Sequence, residues 1–92
     1  LISQILYLRI MKLTIITPDK LVYEGEVTSV TVPGSAGSFQ ILKDHAAIVS
    51  TLEDGKVIIQ QGKGGQEVFI KGGVVEAKDN VITVLAEGII GD

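Results

Sequence analysis

Apolar and polar residues alternate in short runs over nearly the whole of this chain, and each run closes on glycine, proline, aspartate or asparagine. A period of two puts successive side chains on opposite faces of an extended backbone, so the pattern specifies half-buried strands. Leu13 to Thr17 is a β-branched run that stops at the turn pair Pro18-Asp19. Leu21 to Tyr23 resumes it, and Gly25 reads as an interruption or bulge before Glu26 to Val32. That second run reads as one long strand, with Thr28, Val30 and Val32 on one face and Val27, Ser29 and Thr31 on the other. Pro33 to Gly37 breaks it ahead of Ser38 to Leu42. After the polar Lys43-Asp44, Ala46 to Leu52 returns to strand composition, and Glu53-Asp54-Gly55 turns into Lys56 to Gln60. Gly62 to Gly65 forms a hairpin connection into Gln66 to Lys71, Gly72-Gly73 separates that run from Val74 to Ala77, and Asp79-Asn80 makes a tight turn into Val81 to Leu85. No stretch sustains a 3.6-residue period. The expected fold is all-β, an antiparallel sandwich of about eight to ten short strands.

A chain of 92 residues makes one domain with little core to spare for a deep cleft, which leaves its surface as the working part. The strand pattern bounds that domain at residues 12–87, with an N-terminal extension or expression-derived segment over 1–11 and a short tail over 88–92. Leu1 to Ile10 is apolar but interrupted by Gln4 and Arg9, without the basic start and small-residue cleavage site of a signal peptide, and Met11 has the position of a natural first residue. Cysteine is absent, which removes disulfides, thiolate chemistry and cysteine-ligated zinc. A net charge of −3 with acids and bases interspersed gives no phosphate-backbone footprint, so nucleic acid is not expected as a partner. No apolar run approaches the ~18 residues needed to cross a bilayer as a helix.

The residues capable of chemistry are dispersed. His45 is the only histidine, so no pair of histidines is available to a metal, and it reads as a hydrogen-bonding or interface residue. Ser50 and Asp44 lie near it in sequence, but a Ser-His-Asp triad needs its nucleophile on a strained elbow, and no Gly-x-Ser-x-Gly is present. Gly62-Lys63-Gly64-Gly65 lacks the Lys-Ser/Thr ending and following helix of a phosphate loop. Glu24 and Glu26 read as a solvated edge rather than an acid–base pair, because nothing beside them would bury one and raise its pKa. Asp54, Asp79 and Asn80 are turn formers without the dense oxygen spacing that calcium requires. No catalytic residue, metal ligand or cofactor is expected. One competing motif is Glu76-Ala77-Lys78-Asp79-Asn80, whose lysine at a hairpin tip resembles the swinging-arm lysine of biotinyl and lipoyl carrier domains. On that alternative Lys78 would be the modified residue.

The order Thr17-Pro18-Asp19, Val22-Tyr23-Glu24-Gly25-Glu26-Val27, Val30-Thr31-Val32-Pro33-Gly34, Gly37-Ser38-Phe39-Gln40-Ile41-Leu42, His45-Ala46, Gly72-Gly73-Val74-Val75-Glu76 and Val81 to Ala86 resembles the N-terminal β-sandwich of the epsilon subunit of F-type ATP synthase, from about Lys12 to Glu87. The resemblance implies a ten-stranded sandwich at the foot of the central stalk. Such a subunit is non-catalytic, sits against the gamma subunit and the membrane-embedded c-ring, and couples ring rotation to ATP synthesis elsewhere in a proton-translocating complex. It also implies a peripheral location on the cytoplasmic face of the bacterial inner membrane, with membrane contact only through the complex. By position, the loop with Ser38, Phe39 and Gln40 would face the c-ring, and Lys43, Asp44, His45 and Ala46 would face gamma.

The chain departs from the family pattern at both places. The family usually has an acid where Ser38 stands, glycine at Gln40, and Pro-Gly-His-Ala-Pro in place of Lys43-Asp44-His45-Ala46-Ala47. Loss of the acid weakens the case for a charge-paired c-ring contact, and loss of two prolines and a glycine predicts a less rigid loop. Most members continue into a two-helix hairpin that can inhibit hydrolysis and in some bacteria binds ATP. With the sequence ending at Gly91-Asp92, neither the helical switch nor that nucleotide site is expected in this polypeptide.

Overall fold

Turn chemistry sets the boundaries of eight strands among the described residues of a computed structural model, which are 10–91; expectations about residues 1–9 and Asp92 lie outside them. The strands are β1 (Met11–Thr17), β2 (Lys20–Val27), β3 (Ser29–Val32), β4 (Phe39–Leu42), β5 (Ile48–Leu52), β6 (Gly55–Gln61), β7 (Gly64–Lys78) and β8 (Val81–Ile89). Three hairpins close on two-residue loops, each by different means. At Pro18-Asp19 the Thr17 hydroxyl donates to the Asp19 carboxylate at 2.7 Å, and this bond, with a backbone hydrogen bond and nearby Lys20, holds the Asp19 carboxyl below its ordinary pKa. At Gly62-Lys63 the glycine takes φ +59°, as the first position of a type II′ turn requires. Asp79 and Asn80 take φ of 53° and 65°, the two left-handed positions of a type I′ turn.

The strand order is β2-β1-β8-β7-β6-β3-β4, with β5 added to β7. Six of the seven pairings are antiparallel, and β1 lies parallel to β8. Strand β7 belongs to both layers of the sandwich. Its first half pairs with β6, Gly55 opposite Ile70 through Gln61 opposite Gly64, and its second half pairs with β5, Ile48 opposite Ala77 through Leu52 opposite Gly73. One layer is therefore β4-β3-β6-β7 and the other β5-β7-β8-β1-β2. The chain bends between them at Gly72-Gly73, where φ is 38° and 133°. A Cβ on Gly73 would collide with the Leu85 carbonyl oxygen, so the corner takes no side chain there. The expectation that Gly72-Gly73 separates two strands is corrected: it turns one strand from layer to layer.

Two further readings change. Gly25 is in regular register opposite Leu13, and the bulge falls instead at Val22, between the pairs Ile15–Tyr23 and Ile16–Leu21. The Tyr23 ring lies across Gly25, with the hydroxyl 3.2 Å from where a Cβ would sit, so a side chain here would crowd the ring. That hydroxyl accepts from Gln61 Nε2 at 2.6 Å, tying β2 to the end of β6. The run Glu26 to Val32 is two strands rather than one. Thr28 leaves the ladder and bonds the Gln60 carbonyl through both its amide (2.8 Å) and its hydroxyl (3.1 Å). The extra step resets the alternation, so Val27 and Val30, expected on opposite faces, are both buried.

Inside, Leu13, Ile15, Ile82, Val84 and Val75 of one layer meet Val30, Val32, Ile41, Val57 and Ile59 of the other, all fully buried. Each such side chain contributes about 1.5–3 kcal/mol of transfer free energy. This interior is what holds the loops at either end of β4.

Candidate functional site

Strand β4 is four residues long, about 13 Å at 3.3 Å per residue. The two groups of residues singled out from the sequence flank it. Ser38 precedes β4, and Phe39 and Gln40 open it; Lys43, Asp44, His45 and Ala46 follow it. The fold thus separates the two groups onto opposite ends of one edge strand.

The loop before β4 is built on backbone contacts. Gly34 bridges Leu52 of β5, the Ser35 amide donates to the Thr51 carbonyl at 3.0 Å, and the Glu53 amide donates to the Pro33 carbonyl at 2.8 Å. The Thr51 hydroxyl donates to Ser35 Oγ at 2.8 Å. Gly34 has no room for a side chain, since a Cβ would meet the Gly37 carbonyl and the Phe39 ring, each at 2.8 Å. Phe39 is accordingly half-buried against the core, while Ser38 is exposed and Gln40 reaches Ser29 Oγ with its amide at 3.5 Å. Of the three residues expected to face a partner here, Ser38 and Gln40 present side chains to solvent and Phe39 supports the loop from within.

The loop after β4 is built on side chains. Asp44 takes φ 66°, its amide donates to Asn80 Oδ1 at 2.7 Å, and Asn80 Nδ2 donates back to Asp44 Oδ1 at 3.1 Å. This reciprocal pair clamps the loop to the β7–β8 turn. His45 is exposed; its amide donates to the Leu42 carbonyl at 3.1 Å, and Nδ1 lies 2.7 Å from the Ala46 carbonyl. A carbonyl only accepts, so Nδ1 carries the hydrogen in that contact. Sequence reasoning placed Asn80 in a turn and missed its second role. An asparagine at a left-handed position with a side chain free to bond elsewhere was the available signal.

The triad reading finds no geometry. Ser50 donates to the Thr51 carbonyl at 3.1 Å, and Asp44 is engaged by Asn80 rather than His45. His45 borders a recess between Met11, Ile41, Asn80 and Ile82 that is too small to admit a water molecule. Among the described residues no three His, Asp or Glu side chains gather at metal-binding distance. Glu24 lies 3.8 Å from Lys12 Nζ, a half-exposed pair at the sheet edge. Lys78 is the last residue of β7, paired with Val81, while Asp79-Asn80 form the tip.

These features define a small β-sandwich whose exposed loops are anchored by hydrogen bonds and whose reactive groups are kept apart. The family model for the ATP synthase Delta/Epsilon chain beta-sandwich domain matches residues 10–92, and this chain belongs to that family. It is 40% identical over 77 residues to the ATP synthase epsilon chain of Leptospira borgpetersenii, covering 84% of this chain and 61% of that relative. It is 43% identical over 79 residues to the epsilon chain of Chlorobium limicola, covering 85% and 90%. The chain thus spans about three fifths of the Leptospira relative and most of the Chlorobium one. Among solved structures, a chain of the Euglena gracilis mitochondrial ATP synthase OSCP/F1/c-ring assembly shares the fold with a TM-score of 0.82 at 20% identity, over 89% of this chain and 53% of that one. A chain of the Tetrahymena thermophila mitochondrial ATP synthase central stalk and c-ring does so at 0.74 and 20%, over 87% and 65%. The carrier-domain alternative is not favoured by these relatives.

Proposed function

We propose that this sandwich serves as the N-terminal domain of a non-catalytic epsilon subunit in the central stalk of a proton-translocating F-type ATP synthase. In this reading it docks on gamma and the c-ring and couples ring rotation to ATP synthesis, at the cytoplasmic face of a bacterial inner membrane. Ser38, Phe39 and Gln40 face the c-ring, and Lys43, Asp44, His45 and Ala46 face gamma. The observation that carries the reading is the pair of anchored loops at opposite ends of β4, in a chain whose relatives are ATP synthase epsilon chains.

A subunit that passes torque between two partners needs a stiff body and two separated contact areas. The close-packed interior supplies the stiffness, and a four-residue strand held in the sheet keeps the two loops at fixed separation. Membrane contact comes through the complex. The test is co-expression of the full-length protein with its cognate gamma subunit. Co-purification in equal amounts is expected, and two folded proteins that elute apart would defeat the reading.

A further inference from the structure

The loop that follows β4 takes its position from a residue outside it. Every residue from Leu42 to Ala47 is exposed, so little packing holds this segment to the body of the fold. The bonds of His45 stay within the segment, its amide donating to the Leu42 carbonyl and Nδ1 to the Ala46 carbonyl. The two bonds between Asp44 and Asn80 leave it. Asn80 is half-buried in the turn between β7 and β8, and its carbonyl accepts from the Lys12 amide at 2.9 Å, which joins that turn to β1. The frame of three strands thus reaches the loop through one side chain.

His45 and Asn80 also wall the same recess, together with Met11, Ile41 and Ile82, and no water molecule fits within it. The histidine and the clamp are therefore immediate neighbours. With Nδ1 carrying its hydrogen to the Ala46 carbonyl, a neutral imidazole keeps Nε2 as its acceptor. A partner that uses this nitrogen must bring an N–H or O–H donor.

We propose that Asn80 is a positioning residue for partner docking: through Asp44 it holds His45 so that Nε2 accepts from a donor on the partner. Resting on the stalk reading above, that partner is gamma. Asn80 acts through the loop and not by contact with gamma.

The pattern of donors and acceptors supplies the test. Asn80→Asp replaces the donating Nδ2 by an oxygen and sets two carboxylates face to face, at a left-handed φ that aspartate also adopts at Asp79. Exchanging the pair, Asp44→Asn with Asn80→Asp, restores both bonds, because the carboxylate at 80 accepts from the backbone amide of 44 with one oxygen and from its side-chain amide with the other.

The experiment measures the dissociation constant of the full-length protein for the cognate gamma subunit, with variants confirmed as folded by circular dichroism. Asn80→Asp is expected to weaken binding about tenfold, and the exchanged pair to return it to within about twofold of wild type. His45→Phe, which keeps a ring of similar size without its nitrogens, is expected to cost about tenfold. Added to His45→Phe, Asn80→Asp changes binding by less than about twofold, since the contact it positions is already gone. Asn80→Gly gives a second reading should the aspartate impair folding, with a loss of about fivefold expected. Wild-type protein that binds gamma while Asn80→Asp and Asn80→Gly bind equally well overturns the positioning role and leaves the stalk reading standing. An exchanged pair as weak as Asn80→Asp alone does the same, as does an Asn80→Asp loss of full size on the His45→Phe background. A His45→Phe protein that binds like wild type overturns the Nε2 contact and the proposal with it. Wild-type protein that fails to bind gamma overturns the stalk reading itself.

Discussion

The two loops flanking β4 do the same structural job by opposite means. The loop before it hangs on a backbone ladder in which Gly34 bridges Leu52, Leu52 pairs with Gly73, and Gly73 pairs with Ala86. The loop after it hangs on two side chains, Asp44 and Asn80. Ladder contacts tolerate side-chain change so long as the backbones can approach, whereas a side-chain clamp is lost by one substitution. A domain built this way holds its second loop by replaceable side chains and its first by the corner of the fold.

The hardest way to strain this contrast is to attack the ladder where it admits no side chain. Gly73→Ala puts a Cβ onto the Leu85 carbonyl at φ 133°, and no rotamer relieves a clash with backbone. A loss of about 3 kcal/mol is expected, the upper end of what overpacking costs, read from the urea midpoint. Amide exchange at Ser35 and Glu53 should rise well beyond what the global loss explains. A variant of unchanged stability would mean that the corner relaxes freely and that the ladder anchors nothing.

The clamp admits a cleaner cut. Asn80→Gly removes the side chain while keeping the left-handed backbone at φ 65°, which alanine would strain. About 1 kcal/mol should be lost with the two bonds to Asp44. Protection should fall at the Asp44 amide and stay unchanged at Ser35. Equal loosening of both loops would show that they are mechanically one unit, and the comparison would fail.

What could be read in advance divides along the same line between local and distant causes. The turns at Gly62-Lys63 and Asp79-Asn80 were legible because the residues that need positive φ sit in the turns themselves. The buried set was legible wherever alternation ran unbroken, as in β1 and β8. The reset at Thr28 was not, since its partner is the Gln60 carbonyl, 32 residues away. Gly72-Gly73 looked like a break because glycine ends strands more often than it bends them, and the Leu85 carbonyl that excludes a side chain is again remote. Of the candidate surface, the sequence showed two loops a short strand apart. The Asp44–Asn80 clamp, which joins the second loop to a remote turn, spans 36 residues.

The smallest effect sharpens the contrast most. Thr51 contributes to the first loop in two ways, by a carbonyl that accepts from the Ser35 amide and a hydroxyl that donates to Ser35 Oγ. Thr51→Val deletes only the second, with a β-branched residue of similar shape and strand propensity. Because the hydroxyl pair is exposed, water replaces the bond, and the expected change is under about 0.5 kcal/mol with Ser35 amide protection intact. If protection at Ser35 and Glu53 instead collapses, this loop also depends on a side chain, and the backbone ladder is not what sets it apart from the loop at His45.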